Sequence, residues 1–264
     1  MARILTALVG VPILLAVVLL GPAWLFLLLV LAAALEGYRE LGTMTAREGV
    51  RLLPIGYVST LLLTASLYPS AIDFETAALA SVFAVGVAAV FTRAPSRETL
   101  SGVAMTLLTV LYVGGLLSSV VGLRAVLPDR EGRLWILFLF AVVMVGDAGA
   151  YFAGRAFGRH RLAPELSPKK TVEGFVGGLA ASVATAIGLA SLGLPGLSPG
   201  AASGLGLLLG ILGVLGDLFE SLIKRSVGAK DTASILPGHG GVLDRIDSLL
   251  FAAPALLAYV RFAK

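Results

Sequence analysis

Apolar runs recur along almost the whole of this chain, each about as long as a bilayer is thick and separated by short polar connections. A helix crossing the hydrocarbon core needs roughly 17–25 mostly apolar residues. Candidate spans of that kind lie near 4–20, 22–38, 52–69, 76–92, 100–123, 134–156, 172–193, 201–222 and 246–262. In lipid, every backbone donor and acceptor must be satisfied within the segment, so such runs fold as helices or not at all. The expected fold is therefore all-α, a polytopic integral membrane helical bundle of about nine transmembrane helices. Hydrophobic residues make up 58% of the 264 positions and charged ones 14%, which leaves no stretch that reads as a separate soluble domain. The first run follows Arg3 and is long for a signal peptide, with no clear small-x-small cleavage site after it, so it is read as a retained helix.

The chain contains no cysteine and only two histidines, His160 and His239. Disulfides and thiolate zinc sites are excluded, and an imidazole-rich transition-metal site is disfavoured. A catalytic metal here would be hard and oxygen-bound, with Mg²⁺ the first candidate. With the N-terminus placed in the cytoplasm, alternating spans put 15 of the 20 basic residues on the cytoplasmic side. Setting aside the two most charge-rich loops leaves six basic residues inside against five outside, so most of the bias comes from those loops.

The two halves differ. Residues 1–130 hold their polar side chains mostly in loops, as a transmembrane scaffold does. In 131–264, carboxylates stand within or beside apolar runs: Asp147, Asp217 and Glu220. Ionisable groups at membrane depth are costly and point by default to function. Asp147 either bonds to a neighbouring helix, faces water, or serves a site. Asp217 and Glu220 are three apart on one helical face, and Glu220 is four before Lys224, the spacing of an ordinary ion pair. Asp217 has no basic residue at such a spacing, so it wants a cation, and a divalent metal would supply it. Asp244 and Asp247 repeat the three-residue spacing where the last span opens. One acid there is explained by helix capping; two on one face, with Arg245 between them, fit a metal or phosphate site better. Asp217 and Asp244 are expected to share Mg²⁺, with Asp247 or Asp147 completing or flanking the shell.

Two basic segments would supply the counter-charge. Ser167 to Gly174 reads SPKKTVEG, placing Lys169 and Lys170 just before a helix start at Thr171, where phosphate binds well. Lys224 to Asp231 reads KRSVGAKD. Arg155, Arg159 and Arg161 are read as topogenic or lipid-facing. Between the second basic segment and the last acids, Pro237 to Gly241 (PGHGG) removes side chains where the backbone turns or approaches a ligand. His239 is either a ligand contact or a turn-stabilising donor.

These residues together resemble a known family. Ser221, Lys224, Arg225, Lys230 and Asp231 follow S-x-x-K-R-x4-K-D; Pro237, His239, Gly240 and Gly241 follow P-x-H-G-G; Asp244, Arg245 and Asp247 follow D-R-x-D. Over 221–247 this pattern is similar to that of the phosphatidate cytidylyltransferases, the CDP-diacylglycerol synthases. Asp147, Tyr151 and Gly154, and the SPKKT-x-EG segment, resemble the family too, so the likeness is best over about 140–250. The resemblance implies a Mg²⁺-dependent membrane enzyme that joins CTP to phosphatidic acid, giving CDP-diacylglycerol and pyrophosphate. It implies a polar cavity open to the cytosol and to lipid in a bacterial inner or cell membrane, and it admits a homodimer; no nucleic-acid partner is expected. On this reading Asp217, Asp244 and Asp247 carry the metal, with Asp147 in its shell or partnering a lysine. Lys224, Arg225, Lys230 and Arg245 neutralise the triphosphate beside Asp231. Lys169 and Lys170 hold CTP or lipid phosphate, and Ser167, Thr171, Ser221, His239, Gly240 and Gly241 line the substrates. The competing readings are a CTP-dependent lipid kinase, a cytidylyltransferase for an isoprenoid ether lipid, and an ion-coupled transporter. The last lacks a visible inverted repeat and carries its charges on one face rather than at mid-membrane.

Overall fold

The computed structural model describes residues 12–69, 72–194, 197–228 and 241–262. It is almost entirely helical. Residues 12–20 form α1, followed by α2 (Ala23–Ala46), α3 (Ile55–Ala65), α4 (Phe74–Thr92), α5 (Arg97–Thr109), a π-helical turn (Val110–Gly115) and α6 (Leu116–Ala125). Then come α7 (Asp129–Phe157), β1 (Arg161–Ala163), β2 (Ser167–Thr171), α8 (Val172–Ser191), α9 (Pro199–Ser226) and α10 (Leu243–Phe262). Among the described residues, five segments are long and apolar enough to cross a membrane: α4, the continuous rod Arg97–Ala125, α7, α8 and α9. The chain is thus an integral membrane protein by the length and composition of its helices.

The expected count of about nine spans is supported for these five. Of the rest, α3 has 11 residues and reaches about 16 Å, roughly half the hydrocarbon thickness. Helix α2 is long but carries Glu36, Arg39 and Glu40 in its second half, and α10 begins with Asp244, Arg245 and Asp247. Local chemistry sets several helix starts. Asp73, Ser96 and Thr171 each accept the backbone N–H three residues on, from Thr76, Thr99 and Gly174, as N-cap side chains do.

The chain divides into two compact units, one of Met1–Asp129 with Ser226–Arg245, the other of Arg130–Arg225 with Ile246–Lys264. In the first, α3 is the hub. The Tyr38 hydroxyl of α2 donates to the Leu53 carbonyl at 2.7 Å, and the Thr106 hydroxyl of α5 accepts the Leu53 N–H at 2.9 Å. The π-helical turn lies against α3 so closely that a side chain on Gly114 would stand 2.8 Å from the Thr60 carbonyl oxygen. A π turn widens the helix locally and realigns the residues after it. Arg124 is 1% exposed; its guanidinium donates to the Gly21 carbonyl at 3.1 Å and pairs with Asp129 at 2.7 Å. Helix α4 buries only Ala77, Ser81 and Val85, a stripe at four-residue spacing, and leaves Phe83 and Phe91 exposed, as suits a lipid-facing helix.

In the second unit, small residues decide the packing. A side chain on Gly149 of α7 would meet Ala181 of α8, and one on Gly177 or Gly178 of α8 would meet Ala153 or Ala150 of α7. The Ser182 hydroxyl crosses the same seam to the Val142 carbonyl at 3.1 Å. Gly206 of α9 lies against the Val183 backbone of α8, and Gly216 of α9 against the Asp247 carbonyl of α10. Small residues let transmembrane helices approach to backbone contact, and here three successive seams use them.

Candidate active site

In the second unit the polar residues of α9 lie along one face. Asp217, Glu220, Ser221 and Lys224 stand at i, i+3, i+4 and i+7, the helical neighbour spacings. The Ser221 hydroxyl lies 3.4 Å from Asp217, and the Lys224 ammonium pairs with Glu220 at 3.1 Å. The Glu220–Lys224 pair is the one the spacing predicts, yet it is no surface pair. Glu220 is fully buried and the Lys224 side chain is 11% exposed.

The charged group found beside Asp217 is a lysine of β2, where a divalent metal was expected. Lys170 pairs with Asp217 at 2.6 Å. The SPKKT segment, expected to lead straight into a helix N-terminus, instead forms the second strand of a hairpin, with Arg161 opposite Thr171 and Ala163 opposite Ser167. Thr171 then caps α8, as expected. In a strand successive side chains point to opposite faces, so Lys169 and Lys170 do not act as one pair: Lys170 reaches Asp217 while Lys169 is exposed. Ser167 is half-buried on the same strand. The hairpin is held at both ends. Glu173 accepts the Arg159 and His160 N–H groups and the His160 ring at 2.6 Å, and the Arg225 guanidinium donates to the Leu166 carbonyl at 3.3 Å.

Asp247, 8% exposed, joins the cluster from α10. Its carboxylate and that of Glu220 are hydrogen-bonded, and its charged neighbours are Asp217 and Lys224. Carboxylates this close are held together by a proton or a cation. Asp147 of α7 has Asp247, Lys170 and Asp217 as its charged neighbours. Three helices and a hairpin strand thereby bring together Asp147, Asp217, Glu220, Asp247, Lys170 and Lys224. Four carboxylates against two ammonium groups leave a formal charge of −2 when all are ionised. That deficit matches one divalent cation, and all the acid ligands are oxygen, the donor set that suits Mg²⁺. As the side chains stand, no three Asp, Glu or His residues among those described form a ready metal cage. Lysines hold the acids instead.

Asp244 lies in the first unit, where one of its oxygens accepts the Gly241 N–H at 2.7 Å. The capping role that its position allows is therefore realised. Arg245 is exposed and Gly241 is buried. Lys230, Asp231, His239 and Gly240 lie outside the described residues. Two residues central to the geometry received no site role from the sequence. Glu220 was explained by its local pair. Glu40, fully buried on α2, accepts the N–H groups of Val242 and Leu243 at 2.8 and 2.9 Å. An acid at the polar end of an apolar run was its only signal.

Comparison with known proteins agrees with this chemistry. The description of the cytidylyltransferase family matches residues 1–263. The chain belongs to that family. Among its relatives, a phosphatidate cytidylyltransferase of Staphylococcus haemolyticus (strain JCSC1435) is 37% identical over 260 residues, 96% of each chain. One of Staphylococcus aureus (strain COL) is 40% identical over 162 residues, 61% of this chain and 60% of that protein. One of Brucella suis biovar 1 (strain 1330) is 49% identical over 135 residues, 48% of this chain and 47% of that protein. The matches to the last two therefore span about 60% and about half of those relatives' lengths. Membership of a cytidylyltransferase family does not favour the kinase or transporter readings.

Proposed function

We propose that this member of the cytidylyltransferase family is a phosphatidate cytidylyltransferase, transferring CMP from CTP to phosphatidic acid. A phosphate oxygen of the lipid attacks the α-phosphorus of CTP. The bond from that phosphorus to the oxygen bridging to the β-phosphate breaks, and pyrophosphate leaves with the electron pair. The nucleophile is already anionic, so no general base is needed. The barrier lies in bringing an anionic lipid headgroup to a triphosphate, so positioning and charge neutralisation dominate.

The observation that carries this reading is the partly buried cluster of Asp217, Glu220, Asp247, Lys170 and Lys224 on and beside the membrane-spanning helices. An ammonium has three N–H donors, so Lys170 and Lys224, each placed by one carboxylate, can also grip phosphate oxygens. Asp217 and Asp247, with Asp147 beside them, are the acids to hold Mg²⁺. When bound, the ion would polarise phosphate oxygens and stabilise the departing pyrophosphate. Asp244 is retained as a sequence-based ligand candidate, and Lys230, Arg225 and Arg245 as triphosphate contacts. The site faces the cytoplasm on this proposal, following the distribution of basic residues. With no native cysteine, a single Glu165→Cys substitution in the exposed hairpin and an impermeant maleimide test the side. A homodimer belongs to the same proposal, and light scattering of the detergent-solubilised protein tests it.

The deciding assay uses purified protein in detergent with labelled CTP and phosphatidic acid, with and without Mg²⁺. Label in the lipid with release of pyrophosphate is expected. Release of CDP would identify a kinase, and no lipid product would overturn the proposal. Lys224→Ala and Asp244→Ala are each expected to lose about 10²–10³ in turnover, the usual cost of removing a transition-state electrostatic group.

A further inference from the structure

Helix α10 carries Asp244 and Arg245 in its first turn and Asp247 one turn on, and it begins in an unusual way. The first four N–H groups of a helix have no acceptor within it, and a Ser, Thr, Asp or Asn side chain at the N-cap commonly supplies one. Here that position is Val242, whose apolar side chain cannot accept a hydrogen bond. The N–H of Gly241, the residue before it, is accepted by Asp244 three residues on. The N–H groups of the cap residue and of the first helical residue are met from a distant helix: Glu40 of α2, fully buried, takes the Val242 and Leu243 N–H groups with its two oxygens, at 2.8 and 2.9 Å. Gly37, one turn earlier, lets α2 come this near. A side chain there would stand 3.0 Å from Val113 and 3.7 Å from Leu243.

We infer that Glu40 is a positioning residue for the nucleotidyl transfer: by clamping two adjacent amides of α10 it fixes where Asp244 and Arg245 are presented. The inference rests on the proposed function. Two bonds to neighbouring amides fix both the height and the rotation of a helix start, which a single N-cap bond does not. A local cap side chain at 242 would take only a donor two or three residues on and would leave the Val242 and Leu243 N–H groups to find other acceptors. Burying a carboxylate is costly unless its bonds are fully made. Here two amide donors make those bonds, and a Glu also complements the positive end of the helix dipole.

The test uses the full chain in detergent, with Glu40→Gln, Glu40→Asp and, as a control, Glu36→Gln, whose side chain pairs with Arg39 on α2. Glutamine keeps the size but turns a donor toward an amide. Hydrogen–deuterium exchange of peptides over 241–250 should rise about tenfold or more, while exchange elsewhere stays as in wild type. Turnover per folded molecule should fall roughly 10–10²-fold, with KM for CTP changing less than about threefold because the loss is in alignment rather than ground-state binding. Aspartate, one methylene short, should fall between wild type and glutamine, and it carries the test should the glutamine variant not fold. The control should match wild type on both readouts. Unchanged exchange over 241–250, unchanged turnover, or a loss of activity that only tracks loss of folded protein would each overturn the inference. Should the wild-type protein make no CDP-lipid, the proposed function falls separately, and the exchange data alone decide whether Glu40 fixes this helix start.

Discussion

Replacing Lys170 by methionine should pull apart two properties that most active-site substitutions damage together. Lys170 stands 2.6 Å from Asp217, with side chains 25% and 32% exposed, in a cluster whose formal charge is −2. Methionine keeps the length and removes the charge, taking the cluster to −3. At an effective dielectric of about 20, unit charges 4 Å apart interact by about 4 kcal/mol. Partial exposure screens the pair, so a discounted figure of about 1–2 kcal/mol per unit of metal charge is reasonable. A divalent ion competing for Asp217 would then bind roughly tenfold tighter or more in the variant. Turnover should move the other way, falling about 10²–10³-fold, because an ammonium aimed at the phosphates is gone.

Two measurements read these opposite signs: a Mg²⁺ titration of initial rate at saturating CTP and phosphatidate, and direct Mn²⁺ binding to the purified variant. Asp217→Asn supplies the contrast, losing both metal affinity and turnover. If Lys170→Met weakens metal binding along with turnover, then Lys170 supports the acids rather than competing with the ion, and the charge argument fails. If its turnover is unchanged, Lys170 does not face the phosphates.

Other substitutions probe the frame around the cluster. Gly216→Ala would drive a methyl group into the Asp247 carbonyl of α10; overpacking of this kind costs about 1–3 kcal/mol, and turnover should drop roughly 10²-fold as Asp247 shifts. Gly86→Ala, with nothing within 4 Å of the added carbon, should leave activity and thermal midpoint as they are. Arg124→Ala should lower the thermal midpoint in detergent, by about 1–3 kcal/mol of stability for a buried charged hydrogen bond, with turnover per folded molecule unchanged. Arg159→Ala should be nearly silent in the transferase assay, since only the backbone of Arg159 is held, by Glu173; a large loss would enlarge the site to include the hairpin's basic face.

What the sequence disclosed and what it hid divide along one physical line. The helical character of the apolar runs, the Glu220–Lys224 pair and the start of α8 at Thr171 depend on neighbours three or four residues away, so spacing alone announces them. That Asp217 lacks a local partner was also legible, although it pointed to a divalent metal rather than to a lysine. The donor was not, because Lys170 reaches it from a strand 47 residues earlier, and strand geometry rather than helix geometry separates it from Lys169. The π-helical turn left no mark in hydropathy, where the close approach of Gly114 to Thr60 does not register, and neither did the shortness of α3.

The glycines carry the same lesson one level up. Their abundance in α7, α8 and α9 predicts tight helix packing but not which helices pair. Only the fold shows that Gly216 is spent on bringing the helix of Asp217 against the helix of Asp247. That contact lets two acids from different helices share one charge deficit near the membrane, where water does not compensate it. A leucine-lined seam would hold the same helices farther apart, and four carboxylates without a shared counter-ion would each bear their own desolvation cost. The small-residue seams and the acid cluster are therefore one device, and a substitution that widens the α9–α10 seam should weaken divalent-ion binding even with every acid intact. Gly216→Ala in the Mn²⁺ binding measurement tests this directly: an affinity equal to wild type would separate the packing from the electrostatics.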